Sequence, residues 1–150
     1  MSIDKEINQS KFRNEYQKVM INIIYTAGWV NEKVKTILDT ESITGQQFNI
    51  LRILKGNQEP LSTLQIRERM LDKMSDTSRI VDRLVIKELV KKKVCTTDKR
   101  MIDVSITNKG LKLLDRLDKM NENLDGIVSS LSESESKTLN KLLDKIRNSN

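Results

Sequence analysis

Histidine is absent from this 150-residue chain, and cysteine and proline occur once each. Without histidine, and with one thiol, the usual zinc, copper and haem ligand sets cannot be assembled within one chain. The same absence excludes Ser-His-Asp and Cys-His catalysis. A single cysteine forms no internal disulfide, which fits a reducing, cytoplasmic setting. No apolar run reaches transmembrane length. The N-terminal stretch is polar with both charge signs and lacks the apolar segment of a secretory leader. No paired-carboxylate, phosphate-loop or glycine-rich signature points to an enzyme, and no cofactor, metal or membrane partner is expected.

What the chain does hold is basic charge, concentrated in its middle. Formal net charge is +6. Residues 61–110 carry 12 basic and 7 acidic side chains, net +5, while residues 1–60 stand at +1 and residues 111–150 at zero. A local basic footprint beside neutral flanks is what polyanion binding uses, because neutralised phosphates release counterions.

Apolar spacing of three and four over 12–38 (Phe12, Tyr16, Val19, Met20, Ile23, Ile24, Ala27, Val30, Val34, Ile37, Leu38) predicts a long first helix with one apolar face. Thr44 with Gln47 predicts a capping box opening a second helix, and Ser62 with Gln65 opens a short third one ending near Leu71. A turn at Asp72 to Met74 leads to Ser75, the expected cap of a fourth helix with apolar positions Ile80, Val81, Leu84, Val85 and Leu89. Two short helices separated by a three-residue turn form a helix-turn-helix pattern. From Val94 the period falls to two. Val94 to Thr97 and Ile102 to Ile106 read as strands around a basic turn, Asp98-Lys99-Arg100. Thr107 caps a fifth helix whose stripe runs from Leu113 to Leu131, and Ser132 with Glu135 opens a sixth. The order is four helices, a β-hairpin and two helices, mainly α with a small β element.

Several of these segments, in this order, resemble one family. Thr97 to Gly110, with an Asp-x-Arg turn, an alternating apolar strand and Thr-x-x-Gly opening a helix, resembles the wing signature of MarR-family transcriptional regulators. Ile80-Val81-Asp82-Arg83-Leu84 resembles the family's recognition-helix core. Ile43 to Phe48 and Leu131 to Glu135 resemble the starts of its second and last helices. Glu88 stands where the family usually has glycine, and Arg67 where a small residue is usual.

The resemblance implies a single domain over 1–150: a winged helix-turn-helix lobe at 43–106 and a helical dimerisation lobe from 5–40 and 107–150. It implies a transcriptional regulator, a repressor, that binds a double-stranded, pseudo-palindromic DNA operator as a homodimer. Ser75, Asp76, Thr77, Ser78 and Arg79 would face the major groove, with Arg79 the best reader of a guanine edge. Asp76 either accepts from a base or caps its own helix. Arg100 would enter the minor groove, where negative potential attracts arginine; Asp98 would hold its side chain, and Lys99 shares the tip. Ser62, Thr63, Lys91, Lys92 and Lys93 are candidate phosphate contacts. A small aromatic or anionic effector is a further possible partner, and Tyr25 and Trp29, one turn apart, are candidate lining for its cleft or plain core contacts. Two alternatives stay open: a helical protein-interaction module that uses the winged helix to bind protein, and a thiol-based regulator sensing oxidants through Cys95. A buried, inert strand thiol is the other reading of Cys95.

Overall fold

The computed structural model describes residues 2–9 and 11–148. In chain order these form α1 (Ile3–Glu6), α2 (Glu15–Leu38), a single 3-10 turn, α3 (Gly45–Lys55), β1 (Leu61–Ser62), α4 (Thr63–Arg69), α5 (Thr77–Ile86), β2 (Val90–Val94), β3 (Ile102–Ile106), α6 (Asn108–Asp118), α7 (Asn121–Gly126) and α8 (Glu133–Arg147). The caps explain where most helices begin. Gln47 N–H donates to Thr44 Oγ1 and Thr44 N–H to Gln47 Oε1, both at 3.1 Å. Ser62–Gln65 and Ser132–Glu135 close the same reciprocal box. Thr107 Oγ1 accepts from Gly110 N–H at 3.1 Å and opens α6.

One core holds the middle of the chain. Ile50, Leu51 and Leu54 of α3, Ile66 of α4, Val81 and Leu84 of α5, Val104 of β3, and Leu113, Leu114 and Leu117 of α6 are buried in one cluster with Leu38. The sheet lies against it as an antiparallel ribbon in the order β1-β3-β2. Leu61 pairs with Val104, Val90 with Ile106, and Val94 with Ile102. Beyond this core the terminal helices bury little: Leu38 is the only buried residue of α2, and α8 has none.

Five details depart from the sequence expectations. α1 carries too few residues for a periodic signal; Ile3 is buried, Lys18 pairs with Asp4 at 3.0 Å, and Tyr25 donates to Glu6 at 3.0 Å. The long helix starts at Glu15 rather than Phe12 because Asn14 caps it, accepting from Gln17 N–H at 2.9 Å. The first wing strand is Val90–Val94, so Lys91, Lys92 and Lys93 lie inside it; charged side chains suit an edge strand open to solvent. A two-residue β1 adds a third strand to the expected hairpin. The expected fifth helix is two, broken at Lys119-Met120. The buried stripe ends at Leu117, and Asn121 and Asn123, weak helix formers, occupy the next turn.

α5 ends in a left-handed residue even without glycine. Glu88 has φ 60°, and its carbonyl accepts from Thr107 Oγ1 at 2.7 Å. A side chain in this region costs about 1–2 kcal/mol. The Glu88–Lys109 ion pair is exposed on both sides and offsets little of it. Glu88→Gly is therefore expected to stabilise the chain by about 0.5–1 kcal/mol, part of the relief being lost to glycine's extra freedom when unfolded. Urea unfolding should show a higher midpoint at unchanged slope.

Ion pairs fasten α6. Asp118 takes hydrogen bonds from Arg52 and Lys55 of α3, and Arg116 forms a two-bond fork on Glu41, at 2.9 and 2.7 Å. Arg52 above all holds the Asp118 carboxyl below its usual range against an opposing effect of burial, with Lys55 adding a smaller pull, and Arg116 outweighs burial in the same way for Glu41. A depressed carboxylate adds stability above its unfolded pKa, and that share is lost as pH falls through the folded value. The fastening of α6 to α3 therefore loosens in acid.

Candidate nucleic-acid interface

α5, the second helix of the pair, presents its N-terminal end beside α4, the first. The N-cap is Asp76, not Ser75: Asp76 Oδ1 accepts from Arg79 N–H at 3.2 Å. Ser75 belongs to the preceding turn, its hydroxyl donating to the Asp72 carbonyl at 2.7 Å. The carboxylate of Asp76 is thus engaged by its own helix, the second of the two roles open to it. Ser78 and Arg79 are exposed on the first turn. Thr77 is not; it is 3% exposed, with a hydroxyl that has no partner among the described residues. Thr63 of α4 joins Ser75, Asp76, Thr77 and Ser78 around one open cleft between α4 and α5. Ser62, expected as a phosphate donor, is buried and occupied by its capping box.

The wing carries Arg100 at its tip, where residues 95–101 close the turn. Cys95 N–H donates to Met101 O at 2.9 Å, and Met101 N–H to Asp98 O at 3.0 Å. Asp98 does not hold the guanidinium. Its Oδ1 accepts from the Arg100 backbone N–H at 3.0 Å, so the carboxylate shapes the turn that projects Arg100. Lys99 and Arg100 are exposed. Of the three lysines of β2, Lys92 is paired with Asp82 of α5, on the opposite strand face from Lys91 and Lys93. Lys91 and Lys93 are the two that stay open to a phosphate. Cys95 is neither buried nor in the strand; it is half-buried just past β2, with Sγ 3.1 Å from Thr97 Oγ1.

A second cleft, of about 830 Å³, separates α2 from α3 and the turn before α5. Val30, Val34, Phe48 and Leu124 give it an apolar wall, and Arg52, stacked 5.0 Å from the Phe48 ring, gives it a cation. Tyr25 and Trp29 do not line it. Tyr25 turns to Glu6, and Trp29 is exposed beneath Lys33 at 5.8 Å.

A helix pair with an exposed polar first turn, followed by a three-stranded sheet with a basic tip, defines a winged helix-turn-helix protein. The MarR family model matches residues 42–101. The HTH-type transcriptional regulator MhqR of Bacillus subtilis (strain 168) is 31% identical over 121 residues, covering 78% of this chain and 81% of that protein. Solved folds agree. A cysteine-to-serine mutant of E. coli MarR in complex with operator DNA superposes with a TM-score of 0.82 at 22% identity, over 91% of this chain and 99% of that one. The S. aureus MepR–DNA complex gives 0.76 at 24% identity, over 93% and 100%. The chain belongs to the MarR family and is a transcriptional regulator of that family.

Proposed function

We propose that this regulator binds a pseudo-palindromic DNA operator as a homodimer in the cytoplasm and represses transcription by occupying it. In this reading the lobe at 43–106 contacts DNA, and the segments 5–40 and 107–150 join the two copies. The observation that carries it is the pair of open arginines. Arg79 at the start of α5 and Arg100 at the wing tip are both exposed, and neither forms an ion pair among the described residues. Free cations on a helix end and a hairpin tip, in the segment with net +5, are spare charges an anionic duplex would satisfy. A small aromatic or anionic effector would enter the cleft between α2 and α3, where Arg52 can choose between the ligand and Asp118.

Two substitutions test the division of work. Arg79→Ala should cost about 1–3 kcal/mol and relax preference at one position per half-site. Arg100→Ala should weaken binding to all sequences and lower the salt slope by roughly 0.9 per wing, if the side chain displaces counterions as a phosphate contact does. Affinity measured against salt decides it: an Arg100→Ala protein with unchanged affinity and slope removes the wing from the interface.

A further inference from the structure

We propose that the cleft between α4 and α5 seats a DNA backbone phosphate, clamped by Arg67 and the hydroxyl of Thr77. This rests on the DNA-binding reading above and adds to it a contact outside the recognition helix's exposed face. Arg67 projects from the last turn of α4 into the wall of the cleft, an opening of about 460 Å³. It is exposed and has no ion-pair or side-chain hydrogen-bond partner among the described residues. Its neighbour Arg69, by contrast, is tied to Asn57 at 3.1 Å. Across the cleft stands the N-terminus of α5, ten residues long, whose first N–H groups and dipole favour an anion.

Thr77 supplies the second, independent sign. Its Oγ1 is buried and makes no hydrogen bond among the described residues, although Thr77 forms part of the cleft wall. An orphaned buried hydroxyl carries a desolvation cost that a ligand acceptor would remove. Threonine in a helix has two accessible χ1 rotamers, so the hydroxyl can swing toward an oxygen lodged in the cleft without breaking a bond. Thr63 and Ser78 add short donors to the same cleft. The one opposing group is Asp76, and its carboxylate is already committed to Arg79 N–H. A phosphodiester, with one charge and two free oxygens, matches one guanidinium and one hydroxyl set apart in this way.

The test uses the full chain and a duplex that the wild-type protein selects from a randomised pool. Affinity is measured by fluorescence anisotropy over a range of salt concentrations. Arg67→Ala should bind about tenfold more weakly, the loss expected of one charge-assisted bond. Its salt slope should fall by roughly 0.9 per half-site. Arg67→Lys should restore the slope, because a phosphate accepts a point charge, whereas a guanine edge needs the planar fork. Thr77→Val should bind several-fold more weakly while melting at the same temperature or higher, since its hydroxyl has no bond to lose. An Arg67→Ala protein with wild-type affinity and slope overturns the clamp, as does an Arg67→Lys protein whose slope stays low. Thr77→Val binding like wild type removes the hydroxyl from the site. A wild-type chain that selects no duplex defeats the DNA-binding reading itself, and the clamp with it.

Discussion

Gly110→Ala is expected to destabilise the chain by roughly 3 kcal/mol, the upper range for forcing extra volume into a packed site. The glycine is not there for backbone freedom; its φ is an ordinary negative one. It is there because a Cβ would lie 2.4 Å from the Leu89 carbonyl oxygen and 2.7 Å from Ile106 Cγ1. The carbonyl cannot step aside, because it accepts from Thr107 N–H at 3.0 Å. Alanine's better helix propensity, worth about 1 kcal/mol, works in the opposite direction and is outweighed. To relieve the contact, α6 must move off the base of the wing and take Leu113, Leu114 and Leu117 from their places in the core. For a chain of this length the loss corresponds to a fall in melting temperature of about 10 °C. Urea unfolding measures it directly, and an unchanged midpoint would show that the junction of α6 with the wing yields freely. DNA affinity should fall with stability, since the same junction aims Arg100.

That junction was legible in the sequence as Thr-x-x-Gly, but only as a helix start; the reason for the glycine appears once Leu89 and Ile106 converge on it. The same division runs through the molecule. Local signals were readable because they are local. Capping boxes at Thr44, Ser62 and Ser132 involve residues three apart, and periodicity fixed the apolar faces of α2 and α5. What escaped depends on contacts between distant segments. Nothing in Leu61-Ser62 announces a strand until Val104 lies beside it. The stripe from Leu113 to Leu131 keeps its spacing past Leu117, yet the core ends there and the helix breaks. Tyr25 and Trp29 do share a face, but Val30 and Val34, about a quarter-turn away from Trp29 or further round, face the cleft. In the site, Arg79 and Arg100 were found because exposed arginines at a helix start and a turn tip carry their own signal. Arg67 stood out only as a departure from the family's small residue, and Thr77 only as one of the residues expected at the major groove; neither signalled a phosphate seat. The missing partner sets Arg67 apart from the neighbouring Arg69, and burial without a hydrogen bond among the described residues sets Thr77 apart.

Disrupting the proposed dimer should have the larger effect on function. α8 buries no side chain within its own chain, and Leu139, Leu142 and Ile146 are each 43–53% exposed on one face. On α2, Tyr16, Met20 and Ile24 are 55–86% exposed along another. An isolated helix of this length is marginal in water, so α8 needs a surface to pack on. Two apolar helix faces at the two ends of one chain, both uncovered, are what a second copy would bury. The wild-type protein should therefore sediment as a dimer of 17.3 kDa chains at micromolar concentration. Leu142→Glu combined with Ile146→Glu places two charges in that seam and should leave a monomer. The proposed DNA-contacting lobe should stay folded, because its core of Ile50, Val81, Leu84 and Val104 takes nothing from α8. Each half-site would then be bound alone. Losing the linked second contact should lower operator affinity about 100-fold or more, the usual gain from tethering two sites. Binding to a single half-site should change little. The contrast between the two duplexes separates lost dimerisation from a damaged DNA lobe, which would weaken both alike. A wild-type chain that stays monomeric while folded, or a double mutant that stays dimeric, refutes the arrangement. In the second case the seam lies on α2 without α8, and Ile24→Glu becomes the substitution that should split it.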